Sequence, residues 1–257
     1  MLSNKYYHFQ LQFDQIDFVY TYIRKNGCSA FKKFFAANSE MRHNLKYCKS
    51  HLEFMAKYHR INSLEKLNSF NYKIAIIRNP FDRVISAYLN QFIQRLKKGS
   101  DLVNSINKST SRPLDRLTFR QFVSEYLTML NSAPEKIDCH FWTQRSHLAP
   151  IDYNYLWLLD NLAHNASKLF GNTVANQFFS ERTNSNAQYK QYHDNVVDVT
   201  AIELYNYFSS KGYLPSYSAF IDNSIETIIN ELYADDFKLF NKLNSTNSSR
   251  SNGNLST

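Results

Sequence analysis

The sequence predicts an α/β protein built on a mostly parallel sheet, and three observations carry that prediction. Two separate stretches each run from a short apolar strand pattern, through a basic residue, straight into a helical pattern. The first is Phe-Val-Tyr-Thr-Tyr-Ile over residues 18–23, followed by Arg24-Lys25-Asn26-Gly27-Cys28-Ser29. The second is Lys-Ile-Ala-Ile-Ile over residues 73–77, followed by Arg78-Asn79-Pro80. The third observation is size: 257 residues can bury one large core, so a single domain is expected over residues 1–243.

Taken in order, residues 1–17 are a polar and aromatic lead-in without a clear period. Residues 18–23 are long enough for a strand buried on both faces and too short for a helix. Gly27 supplies the backbone freedom for a turn, and Phe31, Phe34 and Phe35 then fall on one side at helical spacing. An anion fits where strand, turn and helix meet. The N–H groups of a first helical turn point outward, the helix dipole favours negative charge, and Lys25 and Lys32 flank the spot. Read alone, this stretch is equally well a surface turn with solvated lysines.

Residues 38–71 read as helix in pieces. His43, His51 and His59 recur there at eight-residue steps, which drift off one helical face, and no carboxylate pattern joins them, so no metal site is expected. The helix after the second strand is the best defined: Asn79 can cap it, Pro80 suits its first position and Asp82 its first turn. Its apolar positions 81, 84, 85, 88, 89, 92, 93 and 96 form a core stripe. Arg83, Ser86 and Asn90 lie off the stripe, so Ser86 is expected to face outward near Arg78, where a guanidinium and a hydroxyl can together hold a phosphate. A plain surface serine is the alternative.

Residues 97–117 turn polar and read as a long loop, either a lid, a binding loop or an insertion. Thr118 and Gln121 form a capping-box pattern opening a helix with apolar positions 119, 122, 123, 126, 127 and 130. An apolar strand is expected over residues 153–159, then a helix through Phe170 and a turn at Gly171. Capping-box patterns at Thr200/Glu203 and Asn223/Glu226 open two more helices, the second running through Ile225, Ile229, Leu232, Phe237 and Phe240. Residues 244–257, nearly all Asn, Ser and Thr, have little to bury and are expected to be a disordered tail.

A formal charge of +8 suits an anionic ligand: a nucleotide, a nucleic acid or a sulfated glycan. Cys28, Cys48 and Cys139 make an odd set with neither disulfide-framework nor zinc spacing, which points to free thiols and a reducing compartment. No continuous apolar leader or span-length run is visible, so a soluble, cytoplasmic protein is expected, without a transmembrane segment.

The two strand-to-helix motifs resemble a known two-part nucleotide site. Lys25-Asn-Gly-Cys-Ser-Ala-Phe-Lys32 is similar to the 5′-phosphosulfate loop of the carbohydrate sulfotransferases, usually Pro-Lys-x-Gly/Ala-Cys-Ser/Thr-x-Trp-Lys. Arg78-Asn-Pro-Phe-Asp-Arg-x-x-Ser86-Ala-Tyr is similar to their 3′-phosphate motif, Arg-Asp-Pro-Phe-x-Arg-x-x-Ser-Ala-Tyr. Three softer matches follow in the expected order. Residues 138–144, Asp-Cys-His-Phe-Trp-Thr-Gln, resemble Asp-x-His-Trp-x-Pro-Gln; residues 153–160 resemble the Tyr-Asp-x-Ile-x-x-Leu strand, with Asp160 for its glutamate; Tyr233-Ala-Asp-Asp-Phe-Lys-Leu-Phe resembles a closing Tyr-x-x-Asp-Phe-x-x-Phe. A segment at Glu181-Arg-Thr-Asn-Ser-Asn186 is weakly similar to one near the family's nucleotide. This is the family of the Golgi chondroitin and dermatan 4-O-sulfotransferases; lacking their membrane anchor and later cysteines, the chain resembles a bacterial-type soluble member.

The resemblance implies a three-layer αβα fold like that of the P-loop NTPases, with 3′-phosphoadenosine 5′-phosphosulfate (PAPS) as donor, no metal, and a glycan, polysaccharide or glycolipid hydroxyl as acceptor. A lipid-linked acceptor would bring the protein to a membrane surface. It also implies the roles. Lys25, with Asn26, Gly27, Cys28 and Ser29 and help from Lys32, holds the phosphosulfate; Arg78 and Ser86 hold the 3′-phosphate. His140 is the candidate base for the acceptor hydroxyl, ahead of His147 and Glu125, because histidine's unperturbed pKa suits that proton transfer. Arg24 and Asn26 depart from the pattern's proline and apolar residue. A diverged nucleotide kinase is one alternative, but no Gly-x-x-x-x-Gly-Lys-Ser/Thr occurs. A non-catalytic nucleic-acid or polyanion binder is another, although the aromatics fall on core stripes rather than stacking platforms, which speaks against nucleic acid.

Overall fold

The computed structural model describes residues 7–180, 189–190 and 195–252, with side chains over 7–180 and 195–246. Two compact units make up the fold: Met1–Arg78, Thr143–Thr183 and Lys238–Thr257 form the first, Asn79–Trp142 and Asn184–Phe237 the second.

The first unit holds a five-stranded sheet of β1 (His8–Phe13), β2 (Ile16–Thr21), β3 (Arg60–Ile61), β4 (Tyr72–Ile77) and β5 (Tyr155–Leu158), in the order β3-β1-β2-β4-β5. Its core is parallel, β2 with β4 and β4 with β5, while β1 runs antiparallel to both β2 and β3. Sequence reading missed β1. Its clue is the short alternation in which buried Phe9 and Leu11 interleave with Gln10 and Gln12. Asp14, at φ 50°, closes the two-residue turn that sets Phe13 opposite Ile16.

Alternate residues of the parallel strands feed opposite faces. Phe18, Tyr20, Ile74, Ile76 and Trp157 pack with α1 (Cys28–Asn38), α2 (His51–Tyr58) and the helix Leu162–Phe170. Across the sheet, Val19 meets Leu67 of α3 (Leu64–Ser69), and Ala75, Ile77 and Leu158 meet Leu239, Phe240 and Leu243. This is the expected helix, sheet, helix layering around a parallel core. The helix Ala234–Asn252 that supplies the last three residues continues past position 244, where disorder was expected. Asn, Ser and Thr cost only about 0.5 kcal/mol each in a helix that packing has already nucleated. Residues 253–257 lie outside the described residues, as does the Glu181–Asn186 match.

The second unit is helical around one aromatic core. α4 (Pro80–Ala87) is capped by the Asn79 side chain on the Phe81 N–H and passes into a wide turn at Tyr88–Phe92. Tyr88 packs edge-on to Phe119 at 4.8 Å and tilted against Phe122 at 5.0 Å between ring centroids. Residues 97–117, expected as loop, contain α5 (Asp101–Ser109), whose buried Leu102, Val103 and Ile106 follow helical spacing behind the cap Ser100. That signal was present in the sequence but submerged in polar residues. Both the Thr118/Gln121 and Thr200/Glu203 capping boxes form. The third is displaced by one residue: Asp222, not Asn223, caps Asn223–Leu232, its carboxylate accepting from Ile225 N–H. A carboxylate serves that role as well as an amide and is held there by Arg120 at 2.7 Å.

Candidate active site

The lysine loop forms between β2 and α1 in the first unit. Tyr22 and Ile23 leave the strand buried, and the chain then turns through Lys25 at φ 69° and Gly27 at φ 70°. Two residues in left-handed backbone thus flank Asn26, whose own N–H closes on the Ile23 carbonyl at 3.3 Å. Gly27 is required twice over. A side chain at φ 70° is strained, and a Cβ there would lie 2.9 Å from both Leu159 Cδ1 and Leu162 Cδ2.

α1 begins without a side-chain cap and without an acidic residue in its first turn, whereas Ser50, Ser63 and Asn79 cap α2, α3 and α4. Among the described residues, the N–H groups of Gly27, Cys28 and Ser29 have no hydrogen-bond acceptor. An eleven-residue helix therefore presents uncapped donors, with half-buried Lys25 and Lys32 beside them. Beneath, Tyr20 stacks on Phe31 at 3.8 Å, and burial first, then Cys28 and Tyr22, hold its hydroxyl far above the usual phenol range.

Asn26, predicted as part of the anion loop, turns its side chain inward and is fully buried. Its amide Nδ2 donates to the Ile76 carbonyl at 2.7 Å and to Gln144 Oε1. Gln144, also fully buried, accepts the Arg78 N–H at 2.9 Å and donates Nε2–H to the Arg78 carbonyl at 2.9 Å. Arg78 in turn donates from Nη1 to the Lys25 carbonyl at 3.0 Å. Lys25, Asn26 and Arg78, read from two distant motifs, are therefore brought together at the carboxyl end of β4. Gln144 is the residue that sequence reasoning missed; its signal was the terminal glutamine of the histidine motif.

Ser86 and His140 belong to the second unit. Ser86 is only 3% exposed, and Arg83 1%, rather than outward. The apolar stripe misleads here because α4 is buried well beyond it, with Pro80 and Ala87, also off the stripe, buried too. His140 is partly exposed, and its Nδ1 lies 2.6 Å from Asp138 Oδ1, which also accepts the His140 backbone N–H at 2.8 Å. An ionised carboxylate there accepts a hydrogen bond from Nδ1–H, which fixes the proton on Nδ1 and leaves the lone pair on Nε2. Asp138 is fixed in turn, its N–H donating to Tyr126 Oη at 2.8 Å. Asp138, Cys139 and His140 are also a group whose ligand atoms lie within 4.8 Å of one another, and two of the three are joined by the carboxylate to imidazole hydrogen bond. Of the weaker base candidates, His147 is 2% exposed and Glu125 is ion-paired with Arg112 at 2.9 Å. The cysteines are free thiols, and no helix of the described residues is long and apolar enough to cross a membrane.

A parallel sheet whose strand end leads through a lysine-flanked turn into an uncapped helix defines an α/β protein equipped for an anionic group. A profile of the sulfotransferase family matches residues 10–242, which takes in the sheet, the lysine loop, the arginine motif and the histidine motif. The chain belongs to the sulfotransferase family, and the sulfotransfer chemistry of that family is the activity its fold carries. Neither the curated proteins nor the solved structures contain a match to it.

Proposed function

We propose that the protein transfers a sulfuryl group from PAPS to a hydroxyl of a glycan, polysaccharide or glycolipid. The observation that carries this reading is the uncapped start of α1: among the described residues the amides of Gly27, Cys28 and Ser29 have no acceptor, and Lys25 and Lys32 flank them in the sequence. In this reading Lys25, Lys32, the Ser29 hydroxyl and the amides of Gly27, Cys28 and Ser29 hold the 5′-phosphosulfate. Asn26 contributes from behind, because its N–H is spent within the turn. Arg78 takes the 3′-phosphate, its backbone fixed and its guanidinium already directed at the lysine loop.

Transfer proceeds by in-line attack of the acceptor oxygen on sulfur. The new sulfur–oxygen bond forms as the bond to the 5′-phosphate oxygen breaks, and 3′,5′-diphosphoadenosine leaves. His140, its tautomer set by Asp138, accepts the hydroxyl proton at Nε2, and the Asp138 carboxylate stabilises the imidazolium. Lys25 balances charge on the departing phosphate, so the scheme routes no step through a metal. The reading is tested by incubating the protein with sulfur-labelled PAPS and a panel of polysaccharides and glycolipids. Labelled product that disappears in Lys25→Ala and His140→Ala supports it. Well-folded protein that transfers label equally in both variants would refute it.

A further inference from the structure

We infer that Gln144 is a positioning residue for donor recognition, acting through Arg78; this rests on the proposed PAPS reading of the lysine loop. Its side-chain amide does for Arg78 what a neighbouring strand would do. One group accepts the Arg78 N–H and donates to the Arg78 carbonyl, both at 2.9 Å, one residue beyond the last residue of β4. The same oxygen receives the Asn26 amide, whose second hydrogen is committed to the Ile76 carbonyl. Two fully buried amides thus tie the strand end to the lysine loop, and the Arg78 guanidinium closes the circuit on the Lys25 carbonyl.

A buried amide with three matched partners allows one arrangement, because any rotation leaves a donor facing a donor or an acceptor unpaired. That fixes the direction in which the Arg78 side chain leaves the sheet. Arg78 is the group proposed to read the 3′-phosphate, so Gln144 sets discrimination between nucleotides that carry this phosphate and those that do not. A role confined to stability would lower the affinity for both kinds equally.

The test is the ratio of affinities for 3′,5′-diphosphoadenosine and adenosine 5′-monophosphate, measured by calorimetry on the full chain. The parent is expected to prefer the 3′-phosphorylated nucleotide, and Gln144→Leu to lose about tenfold of that preference, the effect of unmaking one to two buried hydrogen bonds. Arg78→Ala should lose it as well, and the double variant should lose no more than Arg78→Ala alone. If Gln144→Leu does not fold, Gln144→Glu serves in the same cycle. It keeps the shape and both acceptor contacts, but its ionised form cannot donate to the Arg78 carbonyl. A parent without any preference removes the donor reading and this inference together. A preferring parent whose preference survives in the Gln144 variants, or is lost additively with Arg78→Ala, overturns the inference alone.

Discussion

Replacing Gly27 by alanine isolates what the lysine loop demands of its backbone. Two costs add at this position. Holding an alanine at φ 70° costs about 1 kcal/mol, and a Cβ 2.9 Å from two leucine methyl groups costs about 1 kcal/mol more while those side chains move aside. Gly212, which ends the helix Ala201–Lys211 at φ 76°, has nothing within 4 Å of its virtual Cβ and serves as the control. Alanine stiffens the unfolded chain equally at both positions, so that contribution cancels in the comparison. Thermal unfolding followed by circular dichroism should show Gly27→Ala destabilised by about 2 kcal/mol and Gly212→Ala by about 1 kcal/mol. Equal losses would mean that Leu159 and Leu162 do not confine the turn, and the argument for the loop's geometry would fail.

Lys25 is itself in left-handed backbone at φ 69°, so Lys25→Gly should be about 1 kcal/mol more stable than Lys25→Ala, while both lose sulfotransfer by at least about a hundredfold. Radiolabel transfer and thermal melts check the two halves separately. Burial lowers the His8 pKa to about 4, with Nε2 held 2.8 Å from Tyr153 Oη. Its folded pKa lies below the unfolded value, so its contribution is complete above pH 6.5 and is lost as pH falls from there to 4, about 3 kcal/mol in all. Urea melts at pH 7 and pH 4 should show a smaller loss for His8→Asn than for the parent; an equal loss would place the acid sensitivity elsewhere. In the second unit, Asp198 and Asp222 are held below the usual carboxylate range, Asp198 chiefly by its hydrogen bond to Arg120 and Asp222 by the Ile225 N–H and Arg120 against an opposing burial cost. Their stabilisation is present above the unfolded carboxylate pKa and disappears as pH falls through the folded one. Arg120→Ala should therefore cost about 1 kcal/mol at pH 7 and nothing once both carboxylates are protonated, read from melts down the acid range.

The legible parts of this fold were those with strong local signals. The run at residues 18–23, the Phe31/Phe34/Phe35 stripe and the capping boxes at Thr118 and Thr200 each write their structure in a dozen residues or fewer. β1 was harder to see because a strand of six residues alternates only twice, and α5 because three apolar residues carry its whole buried face. At the site, Lys25, Gly27 and Arg78 were legible from chemistry and motif. The contact between Arg78 and the Lys25 carbonyl was not, since it joins residues 53 apart through side-chain geometry. Gln144 stood at the end of the histidine motif, but its role was not legible there, because a glutamine is an ordinary surface residue until Asn26 and both backbone groups of Arg78 converge on it. Ser86 shows the opposite failure, because a helix stripe locates the apolar face but says nothing of what covers the rest.

The most direct test of the central claim is calorimetric titration of the protein with 3′,5′-diphosphoadenosine, without added metal, in parent, Lys25→Ala and Arg78→Ala. The account predicts 1:1 binding by the parent and a loss of at least about tenfold in each variant, the value of one charge-assisted phosphate contact. A folded parent that does not bind the nucleotide, or variants that bind it as the parent does, would contradict it.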